Sequence, residues 1–395
     1  MLFGPAFVTA ISYVDPGNVA ANVSAGTQFG YLLAWVIILA NTMAGLVQYL
    51  SAKLGIVTGK SLPEIIAEFS NTSIRVIYWL QAELVALATD LSEVVGGAVA
   101  LNLMFNLSLL LGGLITSITS LLLLNIQNFK SQRTFEYVIT FLLVVITVGF
   151  LSSLMVAPPS VDKILEGLIP HFQGPESLLI STAMLGATLM PHAIYLHSDL
   201  TRDRYSCPIS SSWKKILLRT NRFDVILAMF LAGAVNLAML LIAANSLQGC
   251  DKTESIEGAY AAMYSTLGSK VTLLFAIGLL ASGLASTSVG SYAGSVIIQG
   301  LLKVSYPQIL RRSITIIPAV IILALNVDPS RTLILSQVVL SFGIPLVLMP
   351  LVWFTSNKSL MGINVNHCTT TIFGWILATL TSILNATLIY FTTLV

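Results

Sequence analysis

Asp15, Pro16, Gly17 and Asn18 stand together inside a stretch that is otherwise apolar enough to cross a membrane. Proline removes a backbone hydrogen bond and forces the preceding turn apart. The groups so freed are costly in hydrocarbon unless something meets them. Here the interruption brings its own chemistry. Asp15 offers a carboxylate, Asn18 an amide oxygen and the opened turn its carbonyls, and such oxygens suit a cation. A second interruption lies in "AMLGATLMPHAIYLHSDL", where Pro191 falls between Met190 and His192. The Met190 thioether is a poor ligand for Ca²⁺ and Mg²⁺ and a better one for softer transition metals. Methionine also serves as core filler, but beside Pro191 and His192 a ligand role is the expectation.

Ionisable residues within membrane-crossing stretches are functional candidates by default. Besides Asp15 they are Glu83, Asp90, Glu93 and His192, with His197 and Asp199 nearer the end of their stretch. Spacings of seven and three put Glu83, Asp90 and Glu93 on one helix face. A carboxylate stripe turned into a helix bundle can hand protons from one member to the next. His192 suits either metal ligation or proton carriage. Arg311 and Arg312 stand at the start of a later apolar stretch. They either anchor it at the interface or, with one of them paired to Glu83, close the inner end of the stripe.

The elements that must position these residues are set by composition. Of 395 residues, 56% are hydrophobic and 9% charged, far below the roughly 25% charged of a soluble domain. The chain therefore reads as an integral membrane protein. Apolar stretches of about 20 residues recur, the length of a membrane-crossing helix, and the alternation of an outer-membrane barrel is missing. Eleven crossings are expected, at about 3–25, 31–52, 76–101, 107–127, 136–157, 178–200, 224–246, 271–301, 313–327, 332–355 and 370–393. With the N-terminus in the cytoplasm, 15 of the 19 Lys and Arg fall inside, Lys130 and the 202–222 group among them. Only Lys163, Lys252, Lys270 and Arg331 fall outside. This bias predicts a C-terminus on the outer side.

The outer connections carry Asp162, Glu166, Glu176, Asp251, Glu254 and Glu257, read as ordinary solvated loops. The basic 202–222 segment reads as an orientation signal in contact with lipid headgroups rather than a nucleic-acid site. Cys207, Cys250 and Cys368 form no spaced pair and predict neither a disulfide framework nor a thiolate metal site. No basic leader with a cleavage site precedes the first stretch, so no separate signal peptide is expected.

The two interruptions are 175 residues apart, each in the first crossing of a five-crossing block. The blocks, about 1–157 and 178–355, start on opposite sides, and an extra helix follows at about 370–393. Inverted repeats with matched discontinuous helices are the mark of a secondary transporter whose substrate binds at the midplane. One transmembrane transporter domain is the expectation, with no obligate protein partner.

These residues resemble the Nramp (natural resistance-associated macrophage protein) family of divalent metal transporters. "DPGN" in the first crossing and "MPH" in the sixth look like its paired signatures. "ATDLSEVVGGAVALNL", "LRRSITIIPA" and "SQVVLSFGIPL" are also typical, so the resemblance covers essentially the whole chain. It implies an all-α, leucine-transporter-like fold in which Mn²⁺, Fe²⁺ and similar ions enter with protons. It further implies that Asp15, Asn18 and Met190 supply side-chain ligands, that Ala187 supplies a backbone oxygen, and that Gln337 approaches the metal. It favours a proton role for His192 and makes Arg312 the partner of Glu83. The magnesium-transporting relatives lack the equivalent of Met190. The metal and the protons are cargo, and no cofactor is expected.

Other classes fit less well. A Na⁺-coupled amino-acid carrier of the same fold presents helix N-termini to a substrate carboxylate, which Asp15 would repel. No HExxH, GxSxG or second aspartate motif points to an intramembrane enzyme, and no Walker A motif points to ATP-driven pumping.

Overall fold

The computed structural model describes residues 4–129, 132–156, 158–205, 211–248, 256–304 and 307–394. Lys130, Cys207, Cys250, Asp251, Lys252 and Glu254 lie outside the described residues. Among those described the chain is helical throughout. The elements run α1 (Pro5–Ala10, continued by a 3-10 turn Ile11–Val14), α2 (Pro16–Phe29), α3 (Ala34–Thr58), α4 (Leu62–Phe69) and α5 (Thr72–Phe105). Then come α6 (Leu109–Phe129), α7 (Gln132–Val156), α8 (Val161–Gly167), α9 (Gly174–Thr188), α10 (Pro191–Arg204) and α11 (Ser211–Ser246). The last are α12 (Ile256–Leu267), α13 (Ser269–Leu302), α14 (Gln308–Ala324), α15 (Pro329–Ser356), α16 (Lys358–Met361) and α17 (Cys368–Leu394).

Local chemistry sets these boundaries. Pro5, Pro16, Pro191 and Pro329 open α1, α2, α10 and α15, where the missing N–H is no loss. Asn71 caps α5 by accepting from the Ile74 N–H at 2.9 Å, and Asp328 caps α15 by accepting from the Ser330 N–H at 2.8 Å. Among the described residues seven helical segments are long and apolar enough to cross a membrane, one of them Gly174–Arg204, which contains the second interruption. Shorter apolar helices cover Pro5–Val14, Leu109–Leu122 and Thr140–Ser152. The short α4, α8, α12 and α16 fall in the connections between the expected crossings.

α5 and α13 pack together at the centre. The buried run of α13 includes Ala281, Ser282, Gly283, Ala285, Ser286 and Gly290, and such small residues let helix backbones approach closely. α15 packs on α9 and α5, and α10 packs on α3. Large apolar side chains face outward instead on α6 (Leu111, Ile118, Leu122) and α17 (Ile372, Phe373, Ile383). An outward apolar surface of that extent suits lipid.

Candidate functional site

The first interruption is built by Asp15. Its backbone is extended (φ −76°, ψ 169°) between the 3-10 turn and α2. Its side chain caps α2: Oδ1 accepts from the Asn18 N–H at 2.8 Å and from Asn18 Nδ2 at 2.8 Å. The carbonyls freed before the break are met by other helices. Tyr13 O accepts from Asn236 Nδ2 at 2.8 Å, and Val14 O accepts from the Ser282 hydroxyl. Asn236 Oδ1 accepts in turn from Asn22 Nδ2 at 3.0 Å. An opened turn can therefore persist in a dry interior, because its polar groups are paired.

The second interruption separates α9 from α10 at Leu189 (φ −100°, ψ 49°) and Met190 (φ −57°, ψ 116°). Its freed Ala187 carbonyl accepts from Asn18 Nδ2 at 2.9 Å. One asparagine thus joins the two breaks across 169 residues of sequence. The orientation of its amide follows, with Nδ2 between two acceptors and Oδ1 turned towards the Thr188 hydroxyl. Thr188 Oγ1 stands 3.5 Å from that oxygen.

Gln337 of α15 completes the enclosure. Its Nε2 donates to Ser92 Oγ at 3.1 Å and to Ser336 Oγ at 3.3 Å. Its amide lies directly over Gly17, where an added Cβ would collide with it. Asp15 Oδ2 and Gln337 Oε1 are buried with no hydrogen-bond partner among the described residues. Asp15, Asn18 and Gln337 are 0% exposed and Met190 1%. Two buried oxygens without a donor are costly unless something electropositive meets them. Among the described residues no three His, Cys, Asp or Glu side chains gather as a metal cluster. The donors here are one carboxylate, amide oxygens and a peptide carbonyl, with the buried Met190 at the second interruption able to add a thioether, a mixed set that fits a divalent transition metal as cargo.

The ionisable residues of α5 form a separate network. Arg312, fully buried, pairs with Asp90 and lies 3.3 Å from Glu93 Oε2, and its Nη2 donates to Thr287 Oγ1 at 3.3 Å. Arg311 Nη2 lies 3.3 Å from Glu83 Oε1. The expected pairing of Arg312 with Glu83 is therefore corrected: Arg311 takes Glu83. Successive side chains point about 100° apart on a helix, so the two arginines meet α5 and α13 at different levels: Arg312 at Asp90, Glu93 and Thr287, Arg311 at Glu83 and over Gly294. His192 is buried in α10 with Nδ1 unpartnered. His197 is also fully buried; its Nδ1 stands 2.5 Å from Gln48 Oε1, and Gln48 Nε2 donates to the Tyr13 hydroxyl.

A family model described as natural resistance-associated macrophage protein-like matches residues 6–391. The chain belongs to the Nramp family. It is 59% identical over 391 residues to the divalent metal cation transporter MntH of Mycobacterium tuberculosis, covering 99% of this chain and 91% of that protein. A crystal structure of an Eremococcus coleocola manganese transporter superposes with a TM-score of 0.86 at 30% identity, over 97% of this chain and 84% of the other. A nucleobase-cation-symport-1 family transporter shares the fold at a TM-score of 0.61 and 13% identity, over 98% and 90% of the two chains.

In this Nramp chain the residues that sequence reasoning missed are the supports. Asn236, Ser282 and Ser92 hold freed carbonyls or Gln337 in place. Asn236 had a signal, an amide in the middle of an apolar helix. The serines had none, because serine is a common small residue at helix contacts.

Proposed function

We propose that this Nramp chain is a proton-coupled secondary transporter that imports divalent transition-metal ions, Mn²⁺ foremost and Fe²⁺ and Cd²⁺ with it, by alternating access. The observation that carries the reading is the bridge of Asn18 between Asp15 and Ala187. It joins two interrupted helices and leaves Asp15 Oδ2 and Gln337 Oε1 without donors. The relatives named as divalent metal and manganese transporters support it, as does Met190, whose soft sulfur favours these ions over Mg²⁺. Asp15, Asn18, Ala187 and Met190 would hold the ion, with Gln337 above Gly17 as an adjustable fifth donor.

In this reading the chain crosses the cell membrane eleven times, N-terminus inside and C-terminus outside, as two inverted five-helix repeats and one extra helix. Both interruptions then lie mid-membrane. Protons travel by a separate route. Asp90 and Glu93 share the buried Arg312, Glu83 meets Arg311 nearer the start of α5, and His192 stands between the two networks on α10. One guanidinium shared by two carboxylates lets either carboxylate accept a proton without leaving the arginine unpaired.

Glu93→Gln tests this division of labour. Proton entry accompanying Mn²⁺, followed with an entrapped pH dye, is expected to fall about tenfold, with Mn²⁺ affinity in detergent held within a factor of about two. Equal loss of both would show that one site does both jobs. Gly17→Ala probes the enclosure. The new methyl group would strike the Gln337 amide, and Mn²⁺ uptake in proteoliposomes is expected to drop about tenfold at normal expression. An unchanged rate would remove Gln337 from the site.

A further inference from the structure

The inner end of α10 carries a charged cluster apart from both the ion site and the proton stripe. Arg202, in the last turn, forks in two directions. Nη1 lies 2.8 Å from Glu64 Oε2 of α4, while Nη2 lies 2.7 Å from Asp199 Oδ1 and 2.7 Å from Asp203 Oδ1, both in α10. Nη1 also reaches Ser61 Oγ at 3.5 Å, and the Leu62 N–H donates to Ser198 Oγ at 2.9 Å. The N-terminus of α4 is thereby fastened across the end of α10.

The other side of α4 rests on α13. A Cβ built on Gly300 would fall 2.7 Å from Pro63 Cβ and 3.2 Å from the Glu64 N, so only glycine admits this approach. α4 is therefore a bridge between α10, the half-helix that begins at Met190, and α13, which packs on α5. α10 is also bonded to α3, through Ser51 Oγ donating to Ile194 O at 2.5 Å and through Gln48 and His197. Towards α5 and α15 the picture is the reverse. The Gln81 amide, the Tyr195 hydroxyl and His192 Nδ1 are buried there without a hydrogen-bond partner. α10 also packs directly on α13, and α4 adds a charged tie between α10 and that body at the inner end.

We propose that the Arg202–Glu64 pair is an inner latch, which ties α10 to α4 and so to α13 and parts when the path opens inward. The proposal rests on the alternating-access reading above and adds two positioning residues to it. Burial works against the charge on Glu64, but the Ser61 N–H and Arg202 outweigh it and hold the carboxyl below its ordinary range. Both partners are thus charged at neutral pH. The guanidinium fork is what allows one side chain to grip Glu64 and Asp199 together.

Glu64→Gln isolates the latch. Ser61 and Glu64 form a capping box at the start of α4, which glutamine preserves while removing the charge. The reporter is a single cysteine replacing Val85, which is 3% exposed and faces the Gly343–Pro191 junction of α15 and α10. Cys207, Cys250 and Cys368 are replaced by serine. In inside-out vesicles an impermeant thiol reagent is expected to modify this cysteine about fivefold faster in Glu64→Gln than in the parent. Arg202→Lys, which keeps the charge beside Asp199 but loses the fork, is expected to shift the rate the same way. Unchanged labelling in both variants would overturn the latch. The labelling does not depend on transport, whereas a parent chain that carries no Mn²⁺ into proteoliposomes would overturn the functional reading itself.

Discussion

Asp15→Asn is expected to lower the initial rate of Mn²⁺ uptake about hundredfold, the scale of removing one charge from a buried charge pair. The substitution is clean because asparagine caps a helix as well as aspartate does. Its amide oxygen can still accept from the Asn18 N–H, as Asp15 Oδ1 does now at 2.8 Å. Backbone conformation at the first interruption should therefore survive, along with the bridge from Asn18 to Ala187. What disappears is the one negative charge in the donor set, and with it the Oδ2 that has no hydrogen-bond partner among the described residues. A thermal melt close to that of the parent, together with lost Mn²⁺ binding in calorimetry, is the expected pair of results. Uptake within threefold of the parent would show that the ion is not held by Asp15.

Met190→Ala should act on selectivity rather than on charge. The thioether adds a soft donor to a set of oxygens, and oxygens alone do not separate Mn²⁺ or Cd²⁺ from Ca²⁺. Affinity for Cd²⁺ is expected to fall about tenfold, the scale of a single lost contribution at a metal site. Ca²⁺ and Mg²⁺, expected to compete poorly against the parent, should begin to compete with Met190→Ala. Met190 N-caps α10 without a side-chain hydrogen bond, so its truncation removes no capping interaction. Competition assays with a fixed tracer concentration of Mn²⁺ measure both effects. If Ca²⁺ remains fully excluded from Met190→Ala, selectivity lies in the geometry of the oxygens and not in the sulfur.

The sequence made the two interruptions legible because hydrocarbon leaves little choice. Proline flanked by aspartate and asparagine in an apolar run is explained only by an opened turn whose polar groups are used. Much of the helical layout was legible for the same reason: among the described residues seven helical segments long and apolar enough to span a membrane fall on expected crossings. What could not be read was how the freed carbonyls are satisfied, since Asn236 and Ser282 lie more than 200 residues from Tyr13 and Val14. The choice between Arg311 and Arg312 for Glu83 was hidden too. It depends on the rotation of α14 against α5, which neighbouring residues of like charge do not encode. α4 is a different case. Its "SLPE" start is a capping-box pattern, readable in principle but placed in a connection assumed to be loop.

The most direct test is the initial uptake of radiolabelled Mn²⁺ by proteoliposomes containing the purified chain, with the outside neutral or acidic. The expected result is saturable entry well above protein-free liposomes, faster with acid outside, blocked by Cd²⁺ and untouched by equal Mg²⁺. Entry no greater than that of protein-free liposomes, at either pH, would contradict transport of a transition metal through the Asp15–Asn18–Met190 site.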